Sequence, residues 1–339
     1  MIRFEHNKEL DNAMRNLILS MMDVNEYLTD VLEYMEEVLT PKKERELVEI
    51  LKKYDIPYDH LQYDVKLLTE NPYFKHIRLD NVNSESVKYE KITIKKRTLI
   101  NMNFHQPMGK YLFHNHPIGY FDEDVHLPAL IEGDKVWMSP AVSEITSMDV
   151  GIQKGHGKCM TMGLGIGVLP YLWLQKDEVE SVTIVEFNKD VIDLFTTFIL
   201  PQFNTSKKVE IIQGNAIDYF NEEFLNQFDY VYVDFWESNE DGLASYTKLM
   251  EKKVDLPHID FWIEDSILSD LKYVLVPYLL ALYEGRSIAD FISSLDQELK
   301  PYGKKINRYF KKCSDDVTTE DELLHFIQDI PVLREILSQ

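Results

Sequence analysis

A glycine-rich turn, two acids at the ends of apolar runs and a histidine-rich stretch are the parts of this sequence equipped for chemistry. The turn reads Thr161-Met162-Gly163-Leu164-Gly165-Ile166-Gly167, between an apolar run and a helical pattern. Glycine removes the side chains that would keep a ligand off the backbone, and a helix start adds free N–H groups. A dinucleotide-binding turn carries G-x-G-x-x-G; here Val168 takes the place of its third glycine, and the pattern is G-x-G-x-G. Close packing of the chain is the competing reason for such glycines. Glu186 ends the run Val182-Thr183-Ile184-Val185, 19 residues past Gly167. In a doubly wound sheet the end of the second strand lies beside the first glycine turn, where a carboxylate can accept both hydroxyls of a ribose. Asp234 ends the run Tyr230-Val231-Tyr232-Val233, which makes it a candidate to position a nucleophile or accept its proton. A helix cap or a purely structural acid is the alternative there.

His105, His114, His116 and His126 fall near Asp122, Glu123 and Asp124. His114-x-His116 places two imidazoles on one face of a strand, with His126, Asp122 or Asp124 as a third ligand. A metal there would imply metal-assisted hydrolysis. No cysteine pair accompanies the histidines, loop and surface histidines are the favoured account of them, and no metal is assigned.

The elements that must hold these groups follow from periodicity. Apolar residues from Leu10 through Met14, Leu17, Met21, Leu28, Val31 and Leu32 to Met35 and Leu39 recur at helical steps, which predicts a helix over 7–40. Thr40-Pro41 caps and starts a second helix that stops before Asp55-Ile56-Pro57. Residues 75–138 show two-residue alternation at Val87, Tyr89, Ile92 and Ile94 and in parts of 97–104 and 125–137, with glycine and proline turns between. Ser139-Pro140 opens a helix expected to end near Gly155. Strands then alternate with helices: strands at 158–162, 182–186, 209–213, 230–234 and 259–263, and helices at 167–176, 189–200, 216–226 and 241–252. Such alternation requires right-handed crossovers and a parallel sheet. The remainder reads as helices, with a capping box at Thr319-x-x-Glu322. The expected fold is α/β, a Rossmann-like doubly wound and mostly parallel sheet. An α-helical region at 1–74 and a β-rich connector at 75–138 precede the sheet domain at 139–264, and a helical extension follows at 265–339.

From Gly163 to Asp234 the chain resembles the class I S-adenosylmethionine-dependent methyltransferases, and within them the spermidine-synthase-like branch, over residues 158–264. The resemblance implies that Gly163, Leu164, Gly165 and Gly167 face the methionine part of S-adenosylmethionine and that Glu186 binds the ribose. It places Asn215 and Ala216, in Gly214-Asn215-Ala216, near the adenine, where the family often has Gly-Asp-Ala. It places Asp234 beside the reacting groups. Thr161 stands where many members carry an acid, and Asp234-Phe235-Trp236-Glu237 does not reproduce the longer acidic signature of aminopropyltransferases. The implied activity is methyl transfer from S-adenosylmethionine to a small-molecule or protein acceptor. Aminopropyl transfer from the decarboxylated cofactor and a non-catalytic sensor or scaffold are the alternatives. Methyl transfer needs an in-line approach and exclusion of water, and Trp236 and Tyr171 are candidates to wall the cleft against a sulfonium, with ordinary core packing the favoured reading of each.

Composition bounds the partners. Lys+Arg number 36 and Asp+Glu 58, a formal charge of −22, which repels phosphate backbones; Lys95-Lys96-Arg97 and Lys304-Lys305 are too short to offset it, so no nucleic-acid partner is expected. Two distant cysteines, Cys159 and Cys313, fit a reducing cytoplasm. The N-terminus has no signal-peptide pattern, and the apolar stretch from Tyr273 to Tyr283 is short for a bilayer and reads as a buried helix. The Met- and Leu-rich first helix suggests a homodimer.

Overall fold

The structure is a computed structural model that describes residues 2–102, 109–112 and 117–339. Helix α1 spans Lys8–Leu32, capped by the Asn7 side chain, which accepts from the Leu10 N–H at 3.0 Å. Its buried face, Leu10, Met14, Leu17, Val24, Tyr27 and Val31, follows the helical period. The helix does not run on to residue 40. Glu36 adopts a left-handed φ of 62°, and the backbone of 36–39 turns out to pair with 97–99. Leu28 and Leu32, expected on the inner face, are exposed. Helix α2, Pro41–Lys53, starts at the expected place, with Thr40 as its cap.

Strands β1 (Val87–Ile94), β2 (Val125–Glu132) and β3 (Lys135–Met138) form an antiparallel set, the last two joined through Gly133. The helix expected from Ser139-Pro140 starts later, at Val142, because Ala141 is still extended. It comes as α3 (Val142–Ser147) and α4 (Asp149–Lys154), with a tightened turn at Met148 between them.

The central sheet consists of β4 (Gly157–Met162), β5 (Val179–Glu186), β6 (Lys208–Gln213), β7 (Tyr230–Val233) and β8 (Ile259–Phe261). Their order is β6-β5-β4-β7-β8, and every pair is parallel. The chain reverses direction across the sheet between β4 and β7. In open α/β sheets this is where ligands bind, outside the carboxyl ends of the strands. The fold is the Rossmann-like α/β arrangement expected. Helix α5 (Val168–Leu174) follows β4, and α6 (Lys189–Leu194) follows β5, widening into a π-turn at Phe195–Ile199. The helix expected over 216–226 is divided into α7 (Ala216–Tyr219) and a turn at Glu222–Leu225. Helix α8 (Asn239–Met250) crosses to β8.

Helix α9, Glu264–Tyr283, is longer than the apolar stretch within it suggested. By length and composition it could cross a membrane, yet Leu268, Leu271, Leu275, Tyr278 and Leu279 are buried inside the fold. Helices α10 (Lys300–Lys312), α11 (Glu320–Gln328) and α12 (Ile330–Leu337) close this end, and α11 has the expected capping box. The N-terminus is tied to them: Arg3–Phe4 pairs with Asp316–Val317, and the Tyr283 hydroxyl donates to Asp11 at 2.7 Å. One continuous core therefore joins the first half of α1, the sheet and the C-terminal helices.

Candidate functional site

A cavity of about 460 Å³ opens at the carboxyl ends of β4, β5, β6 and β7. Its inner wall is the glycine turn. Gly163, Gly165 and Gly167 all have positive φ, at 106°, 53° and 75°. Their neighbours show why no side chain is tolerated. A Cβ on Gly163 would lie 1.7 Å from the Asp234 carbonyl oxygen, and one on Gly167 would lie 2.3 Å from the Phe195 ring. Close packing of the chain is thus built into this turn, and the same geometry leaves backbone facing the cavity at Gly163 and Gly165. Backbone bonds continue the sheet past its strands. The Gly163 N–H donates to Val185, Gly214 to Glu186 and Asp234 to Met162, each within 2.8–2.9 Å. The Tyr73 hydroxyl, from the N-terminal region, donates to the Ile166 carbonyl at 2.5 Å and pins the turn from behind.

Glu186 sits at the mouth of β5 beside this turn. One carboxylate oxygen accepts the Leu164 N–H at 3.1 Å, and the other accepts the Asn188 N–H at 2.7 Å. Burial raises its pKa, and those backbone donors pull it back. Each oxygen keeps acceptor capacity, since a carboxylate offers about four lone-pair sites. Asn215 and Ala216 line the same cavity. The Asn215 side-chain oxygen already accepts the Ile217 N–H at 3.0 Å as the cap of α7, and among the described residues its amide N–H₂ is the unengaged half. Leu164 also lines the cavity, whereas Gly167 lies behind the turn and is not part of the lining.

Asp234 is the first residue past β7, and its side chain faces the cavity. It caps no helix; the Glu237 and Ser238 N–H groups that precede α8 donate to Asp241, in the first turn of that helix. Burial pushes the Asp234 carboxyl up to about 7. Across from it stands Glu144, on α3, which the reading of the sequence did not single out. Burial, reinforced by the Asp234 charge, pushes Glu144 up to about 8. Among the described residues no side chain or backbone donor bonds to either carboxylate. Helix α3 is held at the sheet's end by the Trp262 indole, which donates to the Ser147 hydroxyl at 2.7 Å. The only sequence signal for Glu144 was its place in the helix before the first sheet strand.

The aromatic wall is partly the expected one. Trp236 lines the cavity, and its buried indole N–H has no partner among the described residues. Tyr171 does not line it. Its ring packs edge-on to Tyr73 and Phe203, with centroids at 5.6 and 5.2 Å, in the core behind the glycine turn. Trp137, Phe187, Phe235 and Trp262 join Trp236 instead. The charge of the lining is one-sided. Glu132, Glu144, Glu186, Asp234 and Glu237 contribute carboxylates, and among the described residues no Lys, Arg or His lines the cavity. Lys135 approaches from outside and pairs with Glu237 at 2.7 Å.

Of the histidine-rich stretch, His105, His114 and His116 lie outside the described residues. His126 is exposed on β2 and bonded to Thr93 at 2.9 Å, and Asp124 is engaged by Lys95 and the Lys96 N–H. Among the described residues no group of three His, Cys, Asp or Glu side chains is arranged to hold a metal.

No protein-family model matches this chain, and no curated protein matches it. Among solved structures, it is similar to spermidine synthase from Thermotoga maritima, at 17% identity and a TM-score of 0.28. That alignment covers 37% of this chain and spans 48% of that protein, so about half of the solved structure has a counterpart here.

Proposed function

We propose that this protein is a transferase that takes an adenosyl sulfonium, S-adenosylmethionine, and passes its methyl group to an amine-bearing small molecule. The observation that carries the reading is the cavity itself. A glycine turn, a ribose-competent Glu186 and a carboxylate at Asp234 line one space whose charged side chains, among the described residues, are all acidic. A cavity of about 460 Å³ falls within the range that holds a nucleoside-sized ligand. A sulfonium carries a positive charge, and an amine acceptor carries another. Carboxylates and aromatic faces in a low-dielectric space stabilise both, whereas a phosphate would meet only repulsion.

The chain's residues would divide the work as follows. Glu186 and the Asn215 amide would hold the nucleoside. The turn from Gly163 to Gly165 would let it lie against backbone. Trp236, Phe235 and Trp262 would exclude water, and Asp234 would orient the acceptor. When bound, the sulfonium supplies an activated alkyl group, so the protein's main contribution is alignment.

A second reading is aminopropyl transfer from the decarboxylated cofactor. One observation favours it: no basic side chain among the described residues lines the cavity to receive a methionine carboxylate. Calorimetric titration with S-adenosylmethionine and with its decarboxylated form separates the two. Tighter binding of the carboxylate-bearing form supports methyl transfer, and preference for the decarboxylated form supports aminopropyl transfer. Binding of neither to folded protein would leave a scaffold role and end both.

A further inference from the structure

We propose that Asp190 is a positioning residue for the cavity: it clasps the turn before β1 and so holds Glu186 and the outer wall in one arrangement. The inference takes its ligand from the cofactor reading above, while its geometry stands without that reading. It starts from the donors that a hairpin turn leaves over. Val82–Asn83 pairs antiparallel with the start of β1, and the Ser84 N–H closes the turn on the Val87 carbonyl at 2.8 Å. The Ser86 N–H leaves the hairpin and donates to Oδ2 of Asp190 at 2.9 Å. The Ser86 hydroxyl donates to the same oxygen at 2.7 Å. Ser86 and Asp190 are 104 residues apart, so the contact joins the β-rich region to the sheet domain.

The clasp reaches Glu186 through one residue. Asp190 stands in the first turn of α6, and its N–H donates to the Asn188 side-chain oxygen, the cap of that helix, at 2.9 Å. The Asn188 amide donates in turn to the Ser86 hydroxyl oxygen at 3.4 Å. Ser86, Asp190 and Asn188 therefore close a ring of bonds. The Asn188 backbone N–H, part of the same loop, is one of the two donors that hold the Glu186 carboxylate, at 2.7 Å. On the other side of the ring, Val87 follows Ser86 directly, lines the cavity and pairs with Glu132 of β2, another lining residue. One contact thus fixes both the acid of the inner wall and the first residue of the outer wall.

The chemistry of the clasp suits a fixed spacing. Hydrogen bonds to an ionised carboxylate are shorter and stronger than those between neutral groups. The Ser86 hydroxyl and N–H hold the Asp190 carboxyl below the usual carboxylate range, which keeps it charged and accepting at neutral pH. A ligand-binding acid has to be held within about 0.5 Å of its productive place by groups that are themselves fixed. Glu186 has the Leu164 N–H on one oxygen and the Asn188 N–H on the other, and the second of these is only as steady as the loop that Asp190 ties down.

The test is a double-mutant cycle on the full chain. Calorimetry measures the affinity of S-adenosylhomocysteine, the cofactor without its methyl group, for wild type, Asp190→Ala, Glu186→Gln and the double variant. Asp190→Asn serves as the control that keeps an acceptor oxygen. Hydrogen exchange read by mass spectrometry follows residues 84–87 and 187–190 with no ligand present. The expected result is a loss of about tenfold in Asp190→Ala, most of it recovered in Asp190→Asn. In the Glu186→Gln background Asp190→Ala should add little, because a residue that acts through another is not additive with it. Exchange should quicken at 84–87 and 187–190 and stay as in wild type at 158–162. If Asp190→Ala loses protection everywhere, Ser86→Ala carries the cycle, with a loss of about threefold that vanishes beside Glu186→Gln. Wild-type affinity in Asp190→Ala would overturn the proposal, as would an equal loss in both Glu186 backgrounds. Failure of S-adenosylhomocysteine to bind wild type would end the cofactor reading. Quickened exchange at 84–87 and 187–190 in Asp190→Ala would then still sustain the clasp, and unchanged exchange would overturn it.

Discussion

The two walls of the cavity are made in different ways. The inner wall, from Gly163 through Glu186 and Asn215 to Asp234, is a succession of strand ends, each residue leaving the sheet at its carboxyl edge. Its positions are set by ladder hydrogen bonds that continue into the loops. The outer wall is assembled from elsewhere. Leu130 and Glu132 come from β2, Trp137 and Met138 from β3, and Glu144 from α3. The separate antiparallel ladder of β1, β2 and β3 positions the first four, and α3 is held by packing and by single bonds such as Trp262 to Ser147. On the proposed reading, a nucleoside wall fixed by the sheet and an acceptor wall borrowed from other elements would let such a site keep one cofactor while its acceptor changes.

The sharpest way to break the inner wall is at Gly163. A Cβ there would meet the Asp234 carbonyl at 1.7 Å, so Gly163→Val should cost about 3 kcal/mol or more in urea denaturation. Gly133 also has positive φ, at 59°, but has open space around it, and Gly133→Ala should cost only about 1 kcal/mol. Equal costs would mean that the turn is not held by the contact described.

Across the cavity, the carboxylates give a pH signature. Asp234 and Glu144 have pKa values raised by burial to about 7 and about 8. A raised acid pKa means that folding favours the protonated form. Their contribution is therefore complete below about pH 4 and is lost as pH rises toward 8. Thermal melts of wild type should fall over that range by on the order of 2 kcal/mol, and Asp234→Asn should flatten the fall. A wild-type profile that rises from pH 5 to 8 would contradict the buried pair.

Trp137 is 40% exposed at the rim of the outer wall. Trp137→Ala should weaken binding of 1,4-diaminobutane, as an amine acceptor, about threefold to tenfold and leave S-adenosylhomocysteine binding unchanged, which calorimetry reads directly. Loss of nucleoside binding instead would show that the two walls do not divide the work. The smallest effect concerns assembly. Leu19, Met22, Leu28 and Leu32 are exposed along α1. We propose that they meet a second copy, so wild type should sediment as a dimer at micromolar concentration and Leu32→Glu as a monomer. A monomeric wild type would remove that interface.

The same division explains what the sequence disclosed. Glu186 and Asp234 were readable because β-α alternation locates strand ends, and strand ends locate the site. Val182–Glu186 and Tyr230–Val233 are runs of β-branched and aromatic residues, a local signal. Glu144 carried no comparable mark, since its place depends on a tryptophan more than a hundred residues away in sequence. Tyr171 took the core place that ordinary packing implied for it, because four residues past Gly167 the helix has rotated toward Tyr73. The first helix was read too long because Met35 and Leu39 keep the apolar spacing after the helix has ended at Leu32. Burial pattern and helix continued together only as far as Val31.

The central claim is that this cavity binds an adenosyl sulfonium through its inner wall. Calorimetric titration of wild type and Glu186→Ala with S-adenosylmethionine tests it most directly. The account predicts micromolar binding to wild type and a loss of about tenfold to a hundredfold in the variant, the effect of removing a charged hydrogen-bond partner. Binding to Glu186→Ala as tight as to wild type, or no binding to folded wild type of either S-adenosylmethionine or its decarboxylated form, would contradict it.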